Sequence, residues 1–381
     1  MLIRKVALAV SGGVDSAVAG IYLKSKGYDV HGVFMKNWDV IDETGACTSQ
    51  KDEEAAEWVC NKLQIPFHRV NFVKEYWIDV FSNLVKDYES GYTPNPDILC
   101  NKHIKFDKFF KYAVETLGCD AVATGHYART SFGEYLEDYK PSKGVHLLIP
   151  VDRFKDQTFF LSQVKQESLQ RTLFPLSNLT KDRTKLIACE AGFDIIANKR
   201  ESTGICFIGT RNFQRFISEY VRDKQGAFVD IDTGHIVGEH KGIHHWTLGQ
   251  RCRFGGLKKP YFIAQKDVER NIIYVAAGTD HPCLYSKFML ASGMNWIHSV
   301  PKSLRKNGVL NCMFRFQHTK PLTPCKVSFI NKNDVLIQLA ESLRALTPGQ
   351  YAVFYTNQEC LGSARIHNVA CSLQALRKLK C

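Results

Sequence analysis

The chain has 381 residues, of which 45% are hydrophobic and 23% charged, a composition typical of a soluble globular protein of two or three domains. Lysine and arginine outnumber aspartate and glutamate by 50 to 38, and the resulting formal charge of +12 suits a polyanionic partner without requiring one. No uninterrupted apolar run of about 18 residues occurs, which argues against a membrane-spanning helix. The 13 cysteines contain no C-x-x-C pair, which argues against a disulfide scaffold and a zinc ribbon.

Strand and helix patterns alternate through the first part of the chain. The apolar run Lys5–Val10 predicts a buried strand, a helical pattern then ends near Lys26-Gly27, and Val30–Met35 predicts a second strand. The order predicts a doubly wound α/β domain. Segment 131–146, polar and bearing Gly, Pro and Ser, is expected to be a surface excursion. The further elements expected are helices at 52–63, 74–88 and 104–117, strands at 67–71 and 121–124, and a turn at 93–97.

The pattern changes after about residue 207. A helix is expected at 208–222, and the remainder reads mostly as short strands, with Val335, Ile337 and Leu339 alternating after a turn at 331–334. Such strands predict a small barrel or sandwich. The sequence therefore predicts an α/β domain over 1–207, a small central domain over 208–280 and a C-terminal β-barrel over 281–381.

A glycine loop follows the first strand. It reads Ser11-Gly12-Gly13-Val14-Asp15-Ser16 and opens a helix, which is the physical arrangement of a phosphate site, because backbone N–H groups and the helix N-terminus attract an anion. The absence of Gly-Lys-Ser/Thr excludes the Walker type. The alternative is a tight turn capped by Asp15 or Ser16.

This loop resembles the pyrophosphatase loop of enzymes that split ATP into AMP and pyrophosphate, such as GMP synthetase, asparagine synthetase and several tRNA thiolases. The resemblance implies that ATP is a substrate and that Mg²⁺ neutralises its charge, with no residue assigned as a metal ligand. It also implies that the phosphates are held by Ser11, Gly12, Gly13, Asp15 and Ser16.

Longer sequence motifs distinguish among the enzymes that share this loop. The chain reads T-P-N-P-D-I-L-C-N-K over 93–102 and E-S-T-G-I-C-F-I-G over 201–209, with A-T-G-H-Y at 123–127 and T-L-G-Q-R at 247–251. Together they resemble the tRNA-specific 2-thiouridylase family over nearly the whole chain, and its mitochondrial members most. The location implied is mitochondrial, with a bacterial cytoplasm as the alternative.

The family reaction fits two cysteines. ATP converts the C2 oxygen of the wobble uridine into an adenylate, and a persulfide sulfur then replaces it. The resemblance implies that Cys206 carries the persulfide and that Cys100 attacks it, leaving a transient Cys100–Cys206 disulfide. Because a disulfide needs Cα atoms within about 7 Å, we expect a loop bearing Cys206 to move toward Cys100. Asp97 is expected to assist as acid, base or holder of the target base, or else to cap a turn.

The resemblance also assigns binding residues. Ala9, Met35 and Gly125 line the ATP pocket beside the loop, and Asn95, Pro96 and Asp97 meet the target base. The tRNA contacts implied are His126, Lys155, Asp156, Gln157, Arg315, Phe316 and Gln350.

The partners implied are tRNAs for Lys, Glu and Gln and an upstream sulfur donor, such as a cysteine desulfurase or a sulfur relay protein. No membrane partner is expected.

Three alternatives stay open at this point. An amidating ligase would need no persulfide cysteine, and a non-catalytic RNA-binding protein would not need an intact loop. An iron–sulfur protein using Cys100 and Cys206 would need further cysteine ligands nearby.

Overall fold

The computed structural model describes residues 3–38, 48–199, 211–255 and 259–378. A five-stranded sheet of order β3-β2-β1-β4-β7 forms the centre of the first half, and all of its pairings are parallel. The strands of this half are β1 (Lys5–Ala9), β2 (Asp29–Lys36), β3 (Phe67–Asn71), β4 (Ala121–Ala123), β5 (Arg129–Thr130), β6 (Leu147–Leu148) and β7 (Thr172–Leu173).

Helices cover both faces of this sheet. Val6 and Leu8 of β1 belong to one buried apolar cluster and Ala7 to another, so successive residues of the strand face opposite layers. The predicted doubly wound α/β domain is therefore confirmed. The helices are α1 (Val14–Ser25), α2 (Thr48–Leu63), α3 (73–89), α4 (96–116), α5 (Thr158–Leu161), α6 (Gln166–Gln170), α7 (Lys181–Glu190) and α8 (Asp194–Ala197).

Two expectations for the first half are wrong. The helix expected at 104–117 begins at Pro96, because the Asn95 side chain accepts a hydrogen bond from the Ile98 amide and proline suits the first turn. Segment 131–146 is not a surface excursion, since Phe132, Leu136 and Val145 are buried in the core.

The central part holds a second sheet of order β10-β11-β12-β8-β9. Within the described residues 211–222, the helix is shorter than expected, because Asn212 caps its start and a turn toward Asp223 follows Ser218. Its elements are α9 (Phe213–Ser218), β8 (Gly226–Asp230), β9 (Ile236–His240), a 3₁₀ turn (Ile243–His245), β10 (Arg251–Cys252), β11 (Tyr261–Asp267) and β12 (Ile272–Ala277).

The last hundred residues form a closed barrel, as predicted. Strands β13-β16-β15-β14-β17-β18 follow one another, and pairing of β13 with β18 closes the ring. The alternating residues Val335, Ile337 and Leu339 point into its core. The elements are β13 (Tyr285–Trp296), α10 (Lys302–Asn307), β14 (Val309–Arg315), β15 (Thr323–Phe329), β16 (Asp334–Arg344), β17 (Tyr351–Thr356), β18 (Glu359–Ala370) and α11 (Leu373–Lys378), with a 3₁₀ turn (Pro282–Leu284) before β13.

The barrel and the first domain share a sheet. Strand β6 pairs with β5 on one side and with β18 of the barrel on the other, where Leu148 lies opposite Glu359. None of the helices in the described ranges is long and apolar enough to cross a bilayer.

Candidate active site

The glycine loop lies at the carboxyl edge of the parallel sheet. Gly12 has φ +69°, and a Cβ there would lie 2.7 Å from Ala55 Cβ and 2.8 Å from the Asp52 carbonyl oxygen, so only glycine fits. Gly13 precedes α1 without a side-chain cap, which leaves the first helical N–H groups available to an anion. The loop thus keeps the open backbone that a phosphate site needs.

The other residues expected at the ATP pocket converge on this loop. Ala9 ends β1 and Met35 lies near the end of the neighbouring β2, so both reach the same sheet edge. Gly125 follows β4, and a Cβ on it would lie 2.8 Å from the Ser16 amide nitrogen. The Ser16 hydroxyl accepts from the Ser11 amide at 3.3 Å and donates to the Gly13 carbonyl at 3.0 Å, which braces the loop from within.

Asp15 is held by residues that sequence reasoning missed. Lys181 Nζ lies 2.7 and 2.8 Å from its two carboxylate oxygens, and the Tyr127 hydroxyl donates to it at 3.0 Å. Burial, followed by the negative charge of Asp15, raises the pKa of Tyr127, so this phenol stays protonated as a donor. Lys181 starts α7, 166 residues beyond Asp15, and its sequence context gave no signal of the contact.

The cysteine expected to attack sulfur lies on a helix. Cys100 sits in the second turn of α4, where π-type turns run from Cys100 to Lys108, and it is 6% exposed. Its apolar cluster also includes Ala9 and Met35, so it lies on the helix layer that packs under the ATP edge of the sheet. Extra-wide helical turns of this kind are frequent at functional sites.

Asp97 lies three residues before Cys100 and therefore on the same side of α4. Burial raises the pKa of its carboxyl group, and the nearby charge of Lys105 opposes the rise. Asn95, rather than Asp97, caps the helix, so the capping alternative for Asp97 is not what the structure shows. A carboxyl group with a raised pKa is suited to proton transfer, which agrees with an acid/base role.

Gln350 ties the barrel to this turn. Its side-chain NH₂ donates to the Thr93 and Pro94 carbonyls at 2.8 and 3.1 Å, and its Oε1 accepts from Asn95 at 3.4 Å. Asn95, one of the three residues expected at the target base, is therefore held by a residue of the C-terminal barrel. Position 350 was expected to contact tRNA, and that contact stays a prediction.

The remaining residues expected to contact tRNA are largely interior. Arg315 forms an ion pair with Asp156, and both side chains are buried, at 8% and 3% exposure; Arg315 also donates to the Tyr355 hydroxyl at 3.0 Å. Phe316 lies in the barrel core. The Arg315–Asp156 pair joins the barrel to the first domain in this structure, and direct RNA contact by Arg315, Asp156 and Phe316 stays a prediction.

His126 and Gln157 are also engaged inside the protein. His126 hydrogen-bonds Thr124 Oγ1 at 2.8 Å, and burial lowers its pKa well below the ordinary value, so its ring is neutral at pH 7. Gln157 Oε1 accepts from the Tyr127 amide at 2.9 Å, while Lys155, in the middle of the same loop, is partly exposed.

Cys206, with its block 201–209, lies outside the described residues, so its distance from Cys100 and the expected movement stay predictions. The iron–sulfur alternative requires Cys206 and therefore stays a hypothesis.

A parallel sheet with an open glycine loop at a helix N-terminus, next to a helix-borne cysteine, defines a nucleotide-binding α/β protein equipped for sulfur chemistry. Comparison with known families agrees with the three-part fold: residues 4–210 match the tRNA methyl transferase HUP domain, 214–277 its PRC-barrel domain and 286–366 the aminomethyltransferase beta-barrel domain.

Three relatives cover nearly the full chain. Mitochondrial tRNA-specific 2-thiouridylase 1 of Drosophila melanogaster is 54% identical over 96% of this chain and 94% of its own length. The Homo sapiens protein of the same name is 47% identical over 99% and 93%. The tRNA-specific 2-thiouridylase MnmA of Alkaliphilus oremlandii is 43% identical over 96% and 97%. The chain belongs to the tRNA-specific 2-thiouridylase family.

Proposed function

We propose that this chain is a mitochondrial, ATP-dependent tRNA sulfurtransferase that converts the wobble uridine of tRNA into 2-thiouridine. One observation supports this above the others: the described half of the site, an open phosphate loop with Cys100 and Asp97 on the adjacent helix, is intact in a chain 54% identical to a 2-thiouridylase along 94% of that relative. ATP, tRNA and a persulfide are the reactants.

In the first step the phosphates of ATP lie against the backbone N–H groups after Gly12. The uridine C2 oxygen attacks the α-phosphorus, an oxygen–phosphorus bond forms, and pyrophosphate leaves. Lys181 and Tyr127 keep Asp15 oriented beside the loop. Asp15 offers a hard oxygen at this loop and would hold Mg²⁺, which would neutralise part of the phosphate charge.

In the second step the terminal sulfur of a Cys206 persulfide attacks C2, and AMP leaves with the original oxygen. Cys100 thiolate then attacks Cys206 Sγ, which breaks the sulfur–sulfur bond, leaves sulfur on the base and forms a Cys100–Cys206 disulfide. An external dithiol reductant restores both thiols. Asp97, whose pKa is raised by burial, exchanges a proton with the uracil ring.

The wobble base reaches this interior site only if it leaves the anticodon stack. Asn95, which Gln350 contacts, would receive it together with Pro96 and Asp97. Arg251, Arg253 and Lys259 surround a cavity of about 240 Å³ in the central domain and offer phosphate contacts elsewhere. The tRNAs for Lys, Glu and Gln are the proposed substrates, and a cysteine desulfurase or relay protein supplies the sulfur.

A matched pair of cysteine variants tests the sulfur step. Cys100→Ser is expected to abolish release of 2-thiouridine from a persulfide donor after a single AMP per enzyme molecule, because AMP leaves before Cys100 acts and the base then stays bonded to Cys206. Cys119→Ser is the control, because burial raises the pKa of that thiol to about 11 and makes it unreactive. The product is measured by mass spectrometry of nucleosides from treated tRNA. Undiminished thiolation by Cys100→Ser would overturn the sulfur step.

A further inference from the structure

Three side chains of the central domain lie close together, and all three are distant in sequence from the glycine loop. Asp223 follows α9, while His244 and His245 lie in the 3₁₀ turn. Asp223 Oδ1 is 3.1 Å from His244 Nε2 and 2.8 Å from His245 Nε2, and one nitrogen or oxygen from each of the three residues lies within 4.8 Å of the others.

Asp223 Oδ1 lies at the distance from each histidine nitrogen that neighbouring ligands of an octahedral metal ion have. Two ligands about 2.1 Å from a metal are about 3.0 Å apart at a right angle and about 3.4 Å apart in a tetrahedron. The observed 2.8 and 3.1 Å are closer to the right-angled value. The two imidazole rings, 4.0 Å apart and tilted by 46°, also fit a narrow angle between ligands.

A fourth oxygen lies beside them. Ser218 Oγ is 3.2 Å from Asp223 Oδ1 and 3.5 Å from His245 Nε2. Ser218 Oγ could act as an additional weak ligand or donate a hydrogen bond to the carboxylate. The set then comprises two imidazoles, one carboxylate and one hydroxyl, drawn from two short segments 20 residues apart.

The site combines a buried side with an open one. The side chains of His244 and His245 are only 5% and 9% exposed. The Asp223 side chain is 44% exposed, so an ion has a path from solvent.

The His281–Asp232 pair, an ordinary hydrogen-bonded pair of the same residue types, has a different geometry from the Asp223 cluster. His281 Nε2 is 3.1 Å from both oxygens of Asp232, and its other nitrogen contacts Cys283 Sγ. At Asp223, by contrast, two imidazole nitrogens point at one carboxylate oxygen. That convergence is what a shared ion would produce, and it gives the second pair as a matched control.

We propose that Asp223, His244 and His245 bind a first-row divalent ion that prefers octahedral coordination, such as Fe²⁺, Co²⁺ or Ni²⁺, as a face of two histidines and one carboxylate. This composition is the facial arrangement that leaves other positions open. Bound there, the ion links the end of α9 to the 3₁₀ turn and stabilises the central domain against the first domain, which α9 contacts through Phe213 and Tyr88.

The test uses full-length protein stripped with a chelator and titrated with Co²⁺ alone, followed by calorimetry and visible absorption. One ion is expected to bind per chain at micromolar concentrations, and Mg²⁺ and Ca²⁺ should not compete, because imidazole is a poor ligand for hard ions. Asp223→Asn and His245→Gln should each weaken binding at least about tenfold, while His281→Gln leaves it unchanged.

Asp223 is exposed enough that its variant should fold, and circular dichroism of the metal-free forms verifies this. Equal Co²⁺ affinity in Asp223→Asn and His281→Gln, or no stoichiometric uptake by the parent chain, would sink the proposal. Both results are independent of thiolation activity, so a failure here leaves the sulfurtransferase function untouched.

Discussion

Comparing Gly12→Ala with Gly27→Ala should distinguish the effect of backbone strain on stability from the effect of a displaced loop on ATP turnover. Gly12 and Gly27 both have positive φ, +69° and +81°, so alanine costs about 1–2 kcal/mol at either position. At Gly27 nothing lies within 4 Å of the added methyl group, whereas at Gly12 it would meet Ala55 and the Asp52 carbonyl. Overpacking of this kind adds about 1–3 kcal/mol at Gly12 alone.

The loop can relieve that overlap only by moving, and movement displaces the N–H groups that face the phosphates. We expect Gly12→Ala to lower tRNA-dependent AMP formation by about 100-fold or more, as when one preorganised donor is lost. Gly27→Ala should keep near-normal turnover despite its lower free energy of unfolding. Urea unfolding and AMP release measure the two effects. Equal turnover in the two variants would show that the loop after β1 does not hold ATP.

Two further predictions concern buried charges. Asp156→Asn leaves the Arg315 guanidinium buried without its carboxylate and should lower the free energy of unfolding by about 3–5 kcal/mol. The control Glu190→Gln, in the exposed pair with Arg183, should change the free energy of unfolding little. Similar denaturation midpoints for the two variants would contradict the structural importance of the buried pair. Burial lowers the pKa of Lys266 to about 7, so from about pH 7 to about pH 10 the unfolded chain binds more protons than the folded one and stability should rise with pH. Lys266→Met should flatten that rise in denaturation experiments, with the exposed Lys241→Met as control, and an unchanged slope would refute the assignment.

Local patterns in the sequence predicted the elements that depend on neighbours along the chain. The apolar run before the glycine loop, the alternation at 335–339 and the long family blocks led to the fold class and family, and both are confirmed. Asn95-Pro96 is also a helix-start signal, so the turn predicted at 93–97 is wrong from Pro96 onward, where α4 begins.

Contacts between residues far apart in the chain could not be predicted from the sequence. Lys181 reaches Asp15 across 166 residues, and Gln350 reaches Pro94 across 256, and neither has a local pattern that distinguishes it from a surface residue. Arg315 and Phe316 were expected at an RNA surface, and the structure places both inside. A single sequence gives no measure of such pairing, because burial is decided by the domain that packs against the residue.

The ladder between β6 and β18 makes the C-terminal barrel inseparable from the catalytic half. A fragment ending before residue 281 would expose the backbone edge of β6 and the buried Leu147, and unprotected edges of this kind promote self-association. Truncated forms that lack β18 should therefore be recovered as aggregates, and a premature stop before Glu359 should cost the catalytic half as well as the barrel.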